Sequence, residues 1–367
     1  MKSYSIRRVW QRRGLLGKLL WLLLLPISFA FLMVVTLRNA LYTRKWLATR
    51  SLDRPVISIG NLSVGGTGKT PTTLWLARSL AQRGFKVGIL SRGYMRKETR
   101  PIVMRYGESP PPDRLHSDDV ASCGDEPAMM ARLYGLTVSV TKDRYRGGLA
   151  LLKQDPVDVF ILDDGFQHRK LRRDFDLVLL GEDVPGWVLP CGPFRETKRS
   201  LRRADGFLIT GSFEDWHKLI DTDNNNLCFD GELQPQVLLG LEANGWKEYP
   251  LTRLYRSKIL AVAGIASPAN FYRTIHDWDG DIVETLEFPD HHEYTTADWQ
   301  QINRIARNLD LIVTTEKDIV KLTRFPFARG KLLALRVSMV VSGERQLIDA
   351  ISERILRHGK GREACGG

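Results

Sequence analysis

Eight residues, Ser63-Val64-Gly65-Gly66-Thr67-Gly68-Lys69-Thr70, constrain this 367-residue chain more than any other feature. They follow the apolar run Val56-Ile57-Ser58-Ile59-Gly60, and the residues after them put Leu74, Leu76, Ala77, Leu80 and Ala81 on one helical face. A strand, a glycine-rich loop and a helix in that order let backbone N–H groups curl around phosphate oxygens at a helix N-terminus. Gly65, Gly66 and Gly68 supply the curl, Lys69 the charge for the β and γ phosphates, and Thr70 a hydroxyl for Mg2+. One departure stands in the loop: Ser63 occupies the position where the consensus has a glycine.

Short Val/Ile/Leu runs at residues 87–90, 137–141, 157–162 and 175–180 alternate with helical patterns, which predicts a mostly parallel sheet covered on both faces. The third run ends in Asp163-Asp164. An apolar strand ending in carboxylates is how nucleotide-binding folds bring Asp to Mg2+ or its water shell. Adjacent side chains leave a strand end in different directions, so one of the pair is free to cap the next turn. A second α/β unit starts near Lys258: a strand at 259–263, Ser267 and Pro268 at a helix start, and a capping signature at Thr295-Thr296-Ala297-Asp298. Strands at 311–314 and 332–341 and a helix at 345–357 complete it. Between the units, Asn244-Gly245 reads as a β-hairpin turn. The expected division is an anchor at 1–40, a phosphate-loop domain at 41–232, a two-stranded linker at 233–256, a C-terminal α/β lobe at 257–358 and a flexible tail at 359–367.

Residues 19–37 carry no charge and, as a helix, extend about 28 Å, enough to reach across most of a hydrocarbon core. Arg7, Arg8, Arg12, Arg13 and Lys18 precede the stretch; Arg38, Arg44, Lys45, Arg50 and Arg54 follow it. No small-x-small cleavage site follows, which argues against a removed signal peptide, and export would separate the loop from ATP. Basic residues on both flanks fit poorly with a simple span. The expectation is a helix, or a hairpin kinked at Pro26, inserted from the cytoplasmic leaflet with its flanks on anionic head groups. A very apolar core helix is the alternative.

The net charge of +12 favours anionic partners without choosing among phosphates, membranes and nucleic acid. Its basic residues are dispersed, with no aromatic-interleaved basic motif, which speaks against a nucleic-acid module. Cys123, Cys191, Cys228 and Cys365 are far apart and form no C-x-x-C pair, which argues against zinc and a disulfide framework. A guanine-reading Asn-Lys-x-Asp is absent; Thr315-Glu316-Lys317-Asp318 reads as a helix start. A membrane-bound ATPase or GTPase switch is the competing class.

Several ordered motifs sharpen the choice: Ser91-Arg92-Gly93-Tyr94, Gly124-Asp125-Glu126-Pro127, Asp163-Asp164-Gly165-Phe166-Gln167-His168, Leu189-Pro190-Cys191-Gly192-Pro193-Phe194-Arg195-Glu196, Phe288-Pro289-Asp290-His291-His292 and Val313-Thr314-Thr315-Glu316-Lys317-Asp318. With the loop, they resemble the tetraacyldisaccharide 4'-kinase (lipid A 4'-kinase) family, whose loop also carries the serine. The resemblance implies a P-loop α/β/α lobe and a smaller α/β lobe joined by a β-hairpin linker, with an N-terminal membrane-anchoring helix. It implies ATP and Mg2+ as cofactors, and as acceptor the 4'-hydroxyl of an acylated glucosamine disaccharide 1-phosphate at the cytoplasmic face of the Gram-negative inner membrane. Membrane lipids are the other expected partner; no nucleic acid and no obligate protein partner are indicated. By motif, Asp125 is the expected base and His291 its partner, orienting it and raising its basicity when the cleft closes, while His292 faces away. Thr70, Asp163, Asp164 and Glu196 are the metal candidates. Arg92, Glu126, Arg144, Arg146, Gln167 and His168 are candidates for substrate or phosphate contact, with a solvated face an equal alternative for the arginines.

Overall fold

A computed structural model of the chain describes residues 6, 8–93, 100–105, 123–182, 186–211, 213–218, 220, 227–266 and 268–363. Arg7, Tyr94, Ser267 and Cys365, each used in reading the sequence, lie outside the described residues. Helix α1 (Gly14–Thr43) leads into strand β1 (Val56–Asn61), helix α2 (Lys69–Gln82) and strands β2 (Val87–Ser91) and β3 (Ile102–Met104). Next come α3 (Asp125–Tyr134), β4 (Thr137–Val140), α4 (Arg144–Leu152), β5 (Val159–Asp163) and β6 (Phe175–Leu180). Strand β7 (Gly206–Ile209), the short α5 (Phe213–His217) and the hairpin β8 (Leu227–Glu242) and β9 (Gly245–Tyr249) follow. The chain ends with β10 (Lys258–Ala263), α6 (Ala269–Asp277), β11 (Asp281–Glu287), α7 (Thr296–Ile305), β12 (Leu311–Thr315), α8 (Glu316–Leu322), β13 (Leu332–Val341) and α9 (Glu344–Glu363).

Two compact units divide these elements: Met1–Val87 with Pro156–Glu232 and Val340–Gly367, and Gly88–Asp155 with Leu233–Met339. Order along the chain had grouped residues 88–155 with the phosphate loop. Compactness places them in the second unit instead, because α3 packs on α8.

In the first unit β1 lies between β5 and β6, with β7 and the start of β8 continuing beyond β6, and every one of these pairs is parallel. Strands β1, β5, β6 and β7 are buried along their whole length, as the unbroken apolar runs predict for a sheet covered on both faces. The register sets Ile59 beside Asp163, which puts the acidic end of β5 level with the start of the loop after β1. Helix α9 is stapled to α2 by Ser79–Glu344 and Arg83–Asp349, and to the strand edge by His358–Asp174 at 2.8 Å. It stays helical to Glu363, where a flexible tail was expected from 359.

Helix α1 belongs to this unit and is a single 30-residue helix that runs through Pro26 without a break, so the kinked-hairpin form is not what the chain adopts. Only 11% of its most apolar window is buried, which also rules out the core-helix alternative. One side grips the loop at 187–196: Trp21 donates to Cys191 O, Ser28 donates to Val188 O, and Phe31 and Leu32 pack on the buried cluster that holds Phe166, Phe194 and Trp216, while Trp10, ahead of the helix, donates to Pro190 O. The other side exposes Leu15, Leu23, Ile27, Met33, Val34 and Leu37.

In the second unit β4 pairs parallel to β2 and antiparallel to β3, while β11, β10, β12 and β13 form a parallel run. The hairpin turn is Ala243-Asn244, with Gly245 already paired to Glu242 at φ +115°, a conformation glycine adopts without strain. Thr295 and Asp298 form the expected reciprocal capping box of α7, and Pro268 sits at the N-cap of α6 rather than its first position.

Candidate active site

Backbone conformation and a few hydrogen bonds shape the loop between β1 and α2. Gly65 and Gly68 sit at φ +137° and +84°, conformations that side chains resist. A Cβ on Gly65 or Gly66 meets no atom within 4 Å, so the cradle is open where phosphate oxygens approach. Asn61 Nδ2 donates to Thr67 Oγ1 at 2.9 Å, tying strand end to loop tip, and Lys69 Nζ donates to Gly65 O at 3.3 Å. Ser63 carries no positive φ; it bridges to Phe194, and Val64 N donates to Pro193 O at 2.8 Å. The consensus glycine is unnecessary there because the 193–195 segment supports an ordinary backbone conformation.

Asp163 and Asp164 do diverge. Asp163 is buried and accepts from Thr73 Oγ1 at 3.2 Å on α2, the helix whose second residue is the buried Thr70. Asp164, at φ +49°, takes Arg195 Nη1 on both oxygens at 3.0 and 2.9 Å and lies 3.8 Å from Lys69 Nζ. Mg2+ takes hard oxygen donors and keeps several waters and phosphate oxygens in its shell. The Thr70 hydroxyl and the Asp163 carboxylate suit that demand; no group of three or more His, Cys, Asp or Glu able to hold a metal occurs among the described residues. Glu196 was expected among the metal ligands, and the structure assigns it otherwise. Its oxygens accept from Arg38 at 2.8 Å, Asn39 at 3.1 Å and Arg203 at 2.7 Å, so it clamps the C-terminal end of α1. Gln167 is likewise committed locally, donating to Asn61 O at 2.8 Å and facing Arg195, while the His168 carbonyl accepts from Arg173.

The second unit holds the other chemistry. Gly124, at φ +93°, caps α3, so Asp125 is its first residue, where exposed N–H groups and the helix dipole favour an anion. His291 Nδ1 lies 3.2 Å from Asp125 Oδ2, and Lys321 Nζ donates to the same oxygen at 2.8 Å. Burial pushes the Asp125 carboxyl up, but the His291 hydrogen bond and the Lys321 charge outweigh it and hold the group below its ordinary value. The same hydrogen bond raises the imidazole of His291. In this arrangement His291 lowers the carboxyl of Asp125; the rise in basicity expected from sequence belongs to cleft closure. A cationic donor stabilises the carboxylate and keeps it ionised. His291 itself sits at φ +62°. His292 turns away to Asp298 at 3.1 Å and stacks on Phe288.

Glu126 is paired with Lys317, and Thr315 caps α8 by accepting from Asp318 N, which makes 315–318 a helix start and not a guanine reader. Of the arginines, Arg92 is exposed, Arg146 is 72% exposed and paired with Asp143, and Arg144 is buried at 4%, which removes the solvated-face option for it alone. Sequence reading missed Lys321, Lys317 and Arg195 as site residues. The signal was present for two of them: Lys317 and Lys321 are four apart, one helix face, opposite the consecutive Asp125 and Glu126.

A strand–loop–helix that cradles triphosphate, in a chain that also keeps a carboxylate ionised at a helix start, defines a P-loop phosphotransferase. Residues 20–356 match the family model described as Tetraacyldisaccharide-1-P 4'-kinase, and the chain belongs to that family. It is 38% identical to the tetraacyldisaccharide 4'-kinase of Syntrophus aciditrophicus over 86% of this chain and 88% of that one. The kinase of the same name from Pelobacter propionicus is 36% identical, covering 93% and 94% of the two chains. Among solved structures, LpxK of Aquifex aeolicus in complex with ATP matches with a TM-score of 0.75 at 31% identity, over 92% of this chain and 99% of that one.

Proposed function

We propose that this ATP-dependent kinase moves the γ-phosphoryl group to the 4'-hydroxyl of an acylated glucosamine disaccharide 1-phosphate, with Asp125 as the base, at the cytoplasmic face of the bacterial inner membrane. The observation that carries the reading is the Asp125–His291–Lys321 cluster, a carboxylate held ionised at a helix N-terminus in a chain of this family. As the acceptor oxygen forms its bond to phosphorus and the β–γ bridging bond breaks, Asp125 takes the hydroxyl proton and ADP departs. The glycine loop and Lys69 hold the β and γ phosphates. Thr70 and Asp163 would hold Mg2+, which would neutralise charge at the phosphates when bound. Arg195 keeps Asp164 and the 193–195 segment in register beneath the loop.

The apolar exposed side of α1 supports membrane attachment, with Trp46 and the basic residues Arg44 and Lys45 just beyond its end. About 45 Å of helix exceeds a hydrocarbon core, so its gripped side rests on protein while the other meets lipid.

The test is incubation of detergent-solubilised lipid disaccharide with MgATP and mass spectrometry of the product. One added phosphate is expected, with severe loss in Lys69→Ala and Asp125→Ala. A folded enzyme that hydrolyses ATP and leaves the lipid unmodified overturns the reading.

A further inference from the structure

Helix α8 presents Lys317 and Lys321 one turn apart, and α3 opens with Asp125 and Glu126. The two pairs meet rung by rung, Lys321 on Asp125 and Lys317 on Glu126. They are not equivalent. Lys317 and Glu126 are each 30% exposed, whereas Lys321 and Asp125 are 6% and 11% exposed. An ammonium so deeply buried persists only with close anionic partners. Lys321 has two: Asp125 Oδ2 at 2.8 Å and Asp318 Oδ1 at 3.4 Å, with the Tyr294 ring beneath it at 5.5 Å. Asp318 is itself fixed, accepting from Gly264 N at 2.9 Å and from Thr315 Oγ1 at 2.7 Å, both at strand ends. A polar chain thus runs from the ends of β10 and β12 through Asp318 and Lys321 to the carboxylate.

The decisive detail is which oxygen is held. His291 and Lys321 both make their hydrogen bonds to Oδ2 of Asp125. We propose that Lys321 is a positioning residue for phosphoryl transfer: braced by Asp318, it locks Oδ2 of Asp125 and leaves Oδ1 to accept the proton of the acceptor hydroxyl. This rests on the reading of Asp125 as the base. His291 alone does not suffice, because an imidazole loses its charge as pH rises, whereas Lys321 is braced between the carboxylates of Asp125 and Asp318. The charged and titratable groups facing Asp125 are His291 with Asp290 behind it, Lys321 with Asp318, the Lys317–Glu126 rung and Tyr294.

The experiment uses full-length enzyme in detergent and follows kcat/KM for the lipid acceptor against pH, with KM for ATP, in Lys321→Gln, Lys321→Arg and Asp125→Asn. Lys321→Gln is expected to move the acid limb of the profile up by about one pH unit and to lower turnover by about tenfold or more, with KM for ATP within about twofold of the parent. Lys321→Arg is expected to keep the limb at the parent position. A limb that stays put in Lys321→Gln, or that moves as far in Lys321→Arg, overturns the assignment. If Lys321→Gln does not fold, Lys321→Arg decides in the same way: an unmoved limb supports the assignment and a moved one overturns it. Asp125→Asn separates the two levels. Retained turnover there removes the base reading itself, whereas lost turnover with an unmoved Lys321→Gln limb removes only the role of the lysine.

Discussion

Removing the Glu196 carboxylate tests whether that residue clamps α1 or binds metal. The side chain is 1% exposed and takes Arg38 at 2.8 Å on one oxygen, with Arg203 at 2.7 Å and Asn39 at 3.1 Å on the other. Hydrogen bonds to charged groups are worth about 1.5–3 kcal/mol each. Arg38 is 39% exposed, so its share is discounted for solvent screening, whereas Arg203 at 20% loses more when left alone. Glu196→Ala is therefore expected to cost about 2–4 kcal/mol, or about 4–16 °C in Tm for a unit of this size. Glu196→Gln, which keeps one acceptor oxygen and no charge, is expected to lose about half of that. The assay is thermal unfolding in detergent, paired with limited proteolysis at Arg38 and Arg44, where cleavage should accelerate as the end of α1 loosens. The Mg2+ concentration giving half-maximal activity should remain within about twofold, on the reasoning that the carboxylate is already occupied. A large rise in that concentration with an unchanged Tm would refute the clamp and restore the metal assignment.

Gly60→Ala should weaken ATP binding and cost about 1–3 kcal/mol, read by chemical unfolding and by nucleotide titration. Its Cβ would lie 2.6 Å from Phe166 Cβ and 2.7 Å from Phe166 N, and the backbone contact offers no rotamer escape. His291→Gln should lose stability relative to the parent most at low pH, measured by denaturant unfolding across pH. Its imidazole is raised above the ordinary 6.5, so its contribution is complete below 6.5 and is lost as pH rises through the folded value. The carboxyl of Asp125 has the opposite sign: depressed below 3.8, it contributes above that value and is lost as pH falls through the folded one.

The sequence by itself determined the strand–loop–helix around Lys69, the parallel sheet that carries it, the capped start of α7 and the family. Each of these follows from local pattern: alternation of apolar runs, glycines where φ is positive, and side chains that reach their own backbone. It also marked Asp125 and His291, although 166 residues separate them, because short motifs carry the resemblance. What it left undecided depends on contacts between distant segments. That Ser63 stands where the consensus has a glycine is explained by Phe194, and that Glu196 clamps α1 is seen only through its pairing with Arg38. Only packing of α3 on α8 brought Lys321 to Asp125. A residue's type fixes what it can donate or accept, but its charge state and its partner are fixed by neighbours that burial selects, and those neighbours are far away in the chain.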